Sequence, residues 1–180
     1  MKKDIELQRM MVTYNEFYKI TKISNRSVMQ IDNVELIPII VNCTFSIEVA
    51  LKCLYYANNE SKAKTGHNIR KIYELTKGYE LEEFLLKDFS YSEINKILDE
   101  LENAFEEFRY IYEQRKTIRI IPAHVKDFTG YIIAFCNEYL KKHYNITIWN
   151  FYIKVLWYEY NFKINNNKYS LCYINEKKDK

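Results

Sequence analysis

An apolar stripe along residues 98–113 constrains the fold more than any other feature of this chain. Five apolar side chains recur there at steps of three and four: Leu98, Leu101, Phe105, Phe108 and Tyr112. This spacing places them on one face of an α-helix, which must pack against other apolar surface. The stripe predicts a helix over about 92–115, and we expect the rest of the chain to pack around it.

The scarcity of helix breakers favours the same kind of structure elsewhere. The 180 residues include 3 Gly and 2 Pro, and 48% of them are apolar. A chain of this length can bury one substantial core, and few breakers favour long helices. We therefore expect a single domain, 1–180, of the all-α class.

Periodicity predicts where these helices lie. Besides the helix over 92–115, long helices are expected at 3–23, 34–58 and 123–144, with two short pieces between them at 68–77 and 80–86. Pro38 should lie in the first turn of the second helix, where its missing N–H costs nothing. Gly78 should end the piece that precedes it, Ser92 with Glu93 should open the helix over 92–115, and Gly130 should interrupt the last long helix.

Residues 146–180 form a C-terminal extension whose structure stays open. An aromatic run is followed by alternating tyrosines and a polar Asn165-Asn-Asn167 segment. A small β-hairpin or an extra helix fits this pattern.

The net charge and the N-terminal sequence bear on the partners and the location of the protein. The net charge is +3, and Lys and Arg are scattered, so non-specific nucleic-acid binding is not required. The N-terminus leads into no apolar leader region, and we expect no apolar stretch of the length that spans a membrane. We expect a cytoplasmic protein without a membrane partner.

Cysteine spacing and glycine content argue against metal and cofactor sites. Cys43, Cys53, Cys136 and Cys172 lie far apart in apolar surroundings, which favours buried thiols. No glycine-rich phosphate loop or zinc-protease motif is present. The sequence predicts neither a metal nor a cofactor.

Arg109 points to a polar cluster. It borders the apolar stripe and has Glu113 one turn ahead, so its guanidinium needs further partners. Glu48 and Lys52, one turn apart on the second helix, and His67, at the head of a short helix, could supply them. These residues form either a catalytic or binding site or a structural clamp on the 59–67 loop, and we favour the clamp.

Three stretches together resemble the HEPN superfamily, the higher-eukaryote and prokaryote nucleotide-binding helical domains. They are Ser46-Ile-Glu48-Val-Ala-Leu-Lys52, Gly66-His67-Asn68, and Ala104-Phe105-Glu-Glu-Phe108-Arg109-Tyr110-Ile-Tyr112-Glu113. The resemblance covers a core at 34–115, followed by a further bundle helix at 123–144. It implies an antiparallel up-and-down helical bundle, commonly a homodimer, often RNA-cleaving and often part of toxin–antitoxin or antiphage-defence systems.

The resemblance also implies roles for individual residues. The polar cluster around Arg109, taken as a catalytic site, makes Arg109, His67 and Glu48 candidate catalytic residues. Candidate binding residues are Lys52, Asn68, Tyr112 and Glu113. Tyr112 is also explained by packing alone. Implied partners are RNA or a nucleotide, and an antitoxin protein.

The family's nuclease pattern departs from this sequence at one point. Catalytic members carry an Arg, usually followed by a polar residue, with a His four to six positions beyond. Arg109 has no such His, and the match by spacing is Arg119 with His124, which has Pro122 between them. An Arg and a His are the residue types that metal-free RNA cleavage needs, so this pair is a second candidate site.

Two functions from different classes remain. One is an RNA-directed enzyme or RNA-binding toxin. The other is a non-catalytic dimeric module that binds a partner protein or a nucleotide.

Overall fold

The computed structural model describes residues 2–23, 33–102, 104 and 122–148 of the chain, and within these ranges it contains helices and turns but no strand. The helices are α1 (Lys2–Ile23), α2 (Asn33–Asn58), α3 (Ile69–Thr76), α4 (Glu82–Leu85), α5 (Tyr91–Leu101) and α6 (Pro122–Tyr144). The all-α prediction is confirmed. Residues 149–180, for which a hairpin or an extra helix is expected, lie outside the described part, so this expectation stays a prediction.

Contacts between helix ends give the direction of the long helices. The Lys3 ammonium, at the start of α1, donates to the Ala57 carbonyl at the end of α2 at 2.9 Å. The Tyr144 hydroxyl, at the end of α6, donates to the same carbonyl at 2.7 Å. Helix α1 therefore runs antiparallel to α2, while α6 runs in the direction of α2, as in an up-and-down bundle.

Helix α2 lies at the centre because it packs against both α1 and α6. Its buried side chains include Cys43, Ile47, Ala50, Leu51, Cys53 and Leu54. The Cys53 thiol faces the Leu7 carbonyl of α1, and the Cys136 thiol of α6 faces the Ala50 carbonyl. A helix with neighbours on two sides needs apolar residues on both.

This position corrects one expectation from the sequence. No apolar stretch of membrane-spanning length was expected, but by length and composition the segment Ile37–Asn58 is apolar enough to cross a membrane. Just over half of that segment is buried inside the protein. Packing between α1 and α6 accounts for its apolar character.

Helices α1, α2 and α6 begin and end within one residue of their predicted bounds, and α5 begins within one residue of its own. The prediction of one helix over 92–115 was wrong at its end, because α5 stops at Leu101 and Glu102 lies in a turn. Residues 105–115 fall outside the described part. Helix α6, however, continues through Gly130. A Cβ at this position would lie 2.5 Å from the Tyr18 hydroxyl oxygen of α1. Gly130 therefore serves the close approach of two helices and does not interrupt the helix.

Three local predictions were wrong. Pro38 lies inside α2, beyond its first turn. Helix α5 is capped by Ser90, two residues before the expected Ser92, in a reciprocal capping box with Glu93. Helix α3 ends at Thr76 before Gly78, and the chain continues into a π-helical turn in which Glu80 has φ 63°.

Candidate functional site

Glu48 is the buried acidic group around which the candidate site is built. It lies on α2 with 3% of its surface exposed, although most residues of this helix are apolar. One turn later on the same face, the Lys52 ammonium donates to Glu48 Oε1 at 2.6 Å. This pair follows from the i,i+4 spacing of the two residues.

The connection between α2 and α3 brings His67 to the same carboxylate. His67 Nδ1 lies 3.0 Å from Glu48 Oε2 and 3.2 Å from Oε1. Gly66, with φ 60°, adopts a left-handed conformation that favours glycine, and its carbonyl accepts a hydrogen bond from Lys52 Nζ at 2.6 Å. We call Glu48, Lys52, Gly66 and His67 the Glu48 cluster.

The Glu48 cluster fixes the orientation of the His67 ring. A carboxylate only accepts hydrogen bonds, so Nδ1 of His67 carries the proton when it bonds to Glu48. The His67 side chain is 44% exposed, whereas that of Glu48 is 4% exposed. The arrangement presents an oriented imidazole at the surface, a group that can act as an acid or base or contact a phosphate.

Asn68 joins this loop to α5. Its side-chain oxygen accepts a hydrogen bond from the Lys71 backbone N–H at 2.8 Å and so caps α3. Its side-chain nitrogen donates to Glu102 Oε1 at 3.0 Å, and the Glu102 carbonyl accepts from the Ile69 N–H at 3.4 Å. The start of α3 is therefore attached to the end of α5.

Sequence reasoning missed the acidic side of this contact. Besides Glu102, Asp99 of α5 accepts from the Arg70 guanidinium at 2.6 Å, and Arg70 also donates to the Asn95 carbonyl at 2.8 Å. Asp99 and Glu102 lie three residues apart, next to the buried Leu98 and Leu101. A search for charged residues that flank the apolar stripe could have found them.

Several predicted site residues fall outside the described part of the chain. They are Arg109, Tyr112, Glu113 and Arg119, and their predicted roles stay predictions. Among the described candidates, the structure brings together Glu48, Lys52 and His67, with Asn68 beside them.

His124 lies elsewhere. It is exposed in the first turn of α6, and its charge helps to lower the pKa of Glu93 at the start of α5, after the larger effect of hydrogen bonds from Ser90. Glu102, beside the Glu48 cluster, follows Glu93 by nine residues, or roughly 14 Å of helix. Within one chain, His67 and His124 therefore lie near opposite ends of α5.

The described cysteines are buried thiols. Burial raises the pKa of Cys53 to about 12 and raises the pKa values of Cys43 and Cys136. In the described part of the chain, no three His, Cys, Asp or Glu residues are grouped so that they could hold a metal ion. Cys172 lies outside that part.

Comparison with known proteins gives one match. A family model described as "HEPN domain" matches residues 36–144, which is more than half of the chain and includes the whole Glu48 cluster. No curated protein and no solved structure matches the chain.

Proposed function

The chain belongs to the HEPN family, and from this membership and the Glu48 cluster we propose that it is an RNA-directed protein whose RNA site includes His67. The family suggests a nucleotide- or RNA-related function in general. The finer assignment, to RNA and to this position, depends on one observation. A half-exposed imidazole is held against a buried carboxylate, with Nδ1 of His67 3.0 Å from Glu48 Oε2.

In the catalytic form of this proposal, the protein is a metal-independent endoribonuclease. His67 takes the proton from a 2′-hydroxyl as that oxygen bonds to the adjacent phosphorus. The bond from phosphorus to the 5′-oxygen breaks, and this oxygen takes a proton from water, leaving a 2′,3′-cyclic phosphate and a 5′-hydroxyl. Glu48 positions the imidazole, and an arginine, Arg109 or Arg119 in the sequence prediction, stabilises the phosphorane charge.

The second candidate is a non-catalytic helical module that binds a partner protein or a nucleotide. It is favoured by the contacts of Lys52, whose ammonium donates both to Glu48 and to the Gly66 carbonyl at 2.6 Å. These contacts explain the Glu48 cluster as a clamp that holds the connection between α2 and α3. Under this alternative, His67 orders the loop and reacts with nothing.

The three histidines of the chain offer a matched test of these alternatives. Purified wild-type protein and the variants His67→Gln, His124→Gln and His143→Gln are incubated with total RNA in EDTA. His143 is the control, because it lies in the last turn of α6 beside Glu80 and Tyr139. We expect cleavage by wild type and His143→Gln and its loss in His67→Gln.

Other outcomes have defined meanings. Loss in His124→Gln alone would assign the chemistry to the Arg119 and His124 pair. RNA binding by the wild-type protein without cleavage would favour the non-catalytic module, and absence of both binding and cleavage would contradict the RNA assignment. End-group analysis of any product should find 2′,3′-cyclic phosphates.

The proposal extends to the cell. We place the protein in the cytoplasm as a homodimeric toxin or antiphage-defence effector that an antitoxin protein can hold inactive. Induced expression of wild type should arrest bacterial growth, whereas His67→Gln expressed to the same level should not. Equal growth of both strains would count against the toxin role.

A further inference from the structure

The turn that carries His67 also carries two exposed lysines, Lys64 and Lys71. From residue 61 to residue 73 the chain contains no acidic residue but has four cations besides His67: Lys62, Lys64, Arg70 and Lys71. Two of them are paired, Lys62 with Glu6 of α1 and Arg70 with Asp99 of α5. Lys64 and Lys71 are exposed, and neither forms an ion pair with a residue that the structure describes.

Four acidic groups beside this turn already have partners, among them Glu74 of α3, which pairs with Lys77. The carboxylate of Glu48 accepts from Lys52 and contacts His67, Glu102 accepts from Asn68, and Asp99 pairs with Arg70. The surface around His67 therefore presents the charges of Lys64 and Lys71, while the carboxylates of Glu48, Asp99 and Glu102 are engaged by other partners. Such a surface attracts a polyanion.

The backbone that holds these lysines is fixed by contacts inside the protein. The Asn68 N–H donates to the Thr65 carbonyl at 3.4 Å and closes the turn, while Lys52 holds the Gly66 carbonyl at 2.6 Å. Lys71 lies in the first turn of α3, where Asn68 caps its backbone N–H. A turn held in place before binding loses less conformational entropy when a ligand contacts it.

We propose that Lys64 and Lys71 contact backbone phosphates of a bound RNA strand on either side of His67. This inference rests on the proposed function, because it is His67 that makes RNA the polyanion in question. The lysines supply affinity independent of base sequence, and they position the strand so that the ribose and phosphate beside His67 lie within its reach. Neither lysine takes part in the chemistry.

The test measures binding of a fluorescein-labelled oligouridylate by fluorescence anisotropy across a series of salt concentrations. Lys64→Gln/Lys71→Gln is compared with Lys64→Arg/Lys71→Arg, which retains the charges. Lys87→Gln/Lys141→Gln is the matched control, since it removes two exposed lysines from the α4–α5 connection and from α6. Circular dichroism and melting curves verify that all variants fold alike.

Loss of two phosphate contacts should make the plot of log binding constant against log salt less steep by about 1.4. It should also weaken binding about 20-fold at 0.1 M salt. The Arg variant and the control should bind like wild type. If wild type binds RNA and the Gln variant binds equally well, this inference is overturned while the proposed function stands. If wild type binds no RNA, both fail.

A last arm separates RNA from an acidic protein as the ligand. Polyglutamate is added to the complex at the same concentration of charges as unlabelled RNA. We expect RNA to displace the probe at a much lower concentration. Equal displacement would make this surface a general anion site and would overturn the assignment to RNA.

Discussion

Glu48 holds two basic side chains that come from different parts of the chain, and its removal leaves both without their buried acceptor. We expect Glu48→Ala to lower the free energy of unfolding by about 2–3 kcal/mol, because a buried pair loses one partner. For a chain of this size that change lowers the melting temperature by about 5–10 °C. Thermal melts monitored by circular dichroism measure it.

Glu16→Ala is the control for this prediction. Glu16 accepts from Lys19 at 2.6 Å, but both side chains are about half exposed. Removal of such a surface pair should change the free energy by less than about 1 kcal/mol. Equal melting temperatures for the two variants would show that the Glu48 cluster does not stabilise the fold.

The cysteines make a second prediction at the level of single residues. The thiolate is the reactive form, and burial raises the pKa of Cys53 to about 12 and also raises the pKa values of Cys43 and Cys136. A thiol reagent at mildly alkaline pH should therefore modify no more than one of the 4 cysteines in the native protein, and all of them in guanidinium chloride. In the native Cys172→Ser variant, the thiol reagent should label no cysteine rapidly. Rapid labelling of that variant would contradict this account.

The capping box of α5 gives a prediction for a whole element. The Ser90 hydroxyl accepts from the Glu93 N–H at 3.2 Å, and the Glu93 carboxylate accepts from the Ser90 N–H at 2.8 Å. Ser90→Ala should lower the free energy of unfolding by about 1 kcal/mol. Ser92→Ala, which removes the residue that sequence reasoning placed at this cap, should have little effect.

The same box makes stability depend on pH. Hydrogen bonds from Ser90 lower the pKa of Glu93 in the folded state, with a smaller effect from the charge of His124. Because the pKa of Glu93 is lowered by folding, its ionised carboxylate stabilises the fold at every pH above the ordinary pKa of a glutamate. This stabilisation is lost as the pH falls through the lowered pKa of the folded state. The difference in melting temperature between wild type and Glu93→Gln should be present at neutral pH and vanish in acid. A difference that persists there would refute the assignment.

The sequence predicted the long helices well because each has an apolar face that repeats over many turns. The errors concern helix ends, where several residue types compete for the same role. Ser90 and Ser92 can each cap a helix, and only the reciprocal bonds with Glu93 select Ser90. Nothing in the sequence predicts the left-handed conformation of Glu80. This conformation is usual for glycine, and the glycine of this segment is Gly78, two residues earlier.

The contacts of the candidate site were predictable to different degrees. Glu48 and Lys52 follow from helix geometry alone. The contact between Glu48 and His67 spans 19 positions in sequence. Sequence reasoning grouped the two residues as partners of Arg109, which lies outside the described part. Glu102 and Asp99 gave no periodic signal, since charged side chains at the margin of a helix look alike whether they bind another helix or water.

At the scale of the whole molecule, the assembly state is the next prediction. HEPN domains commonly dimerise, and 16% of this chain is aromatic, so we expect apolar surface that a second copy covers. Light scattering coupled to size exclusion should give twice the chain mass of 21.9 kDa at micromolar concentration. A mass equal to one chain would contradict the homodimer.

The central position of α2 has a consequence for the order in which the protein is made. Its partner α1 precedes it in the chain, but its other partner, α6, begins at Pro122, and the contact between Ala50 and Cys136 spans 86 positions. At a synthesis rate of about 5–20 residues per second, the ribosome needs several seconds to pass from the end of α2 to the start of α6. During that interval α2, the most apolar of the described helices, has the face that contacts α1 covered and the face that contacts α6 open to water. A nascent chain stopped before α6 should therefore recruit a chaperone or aggregate.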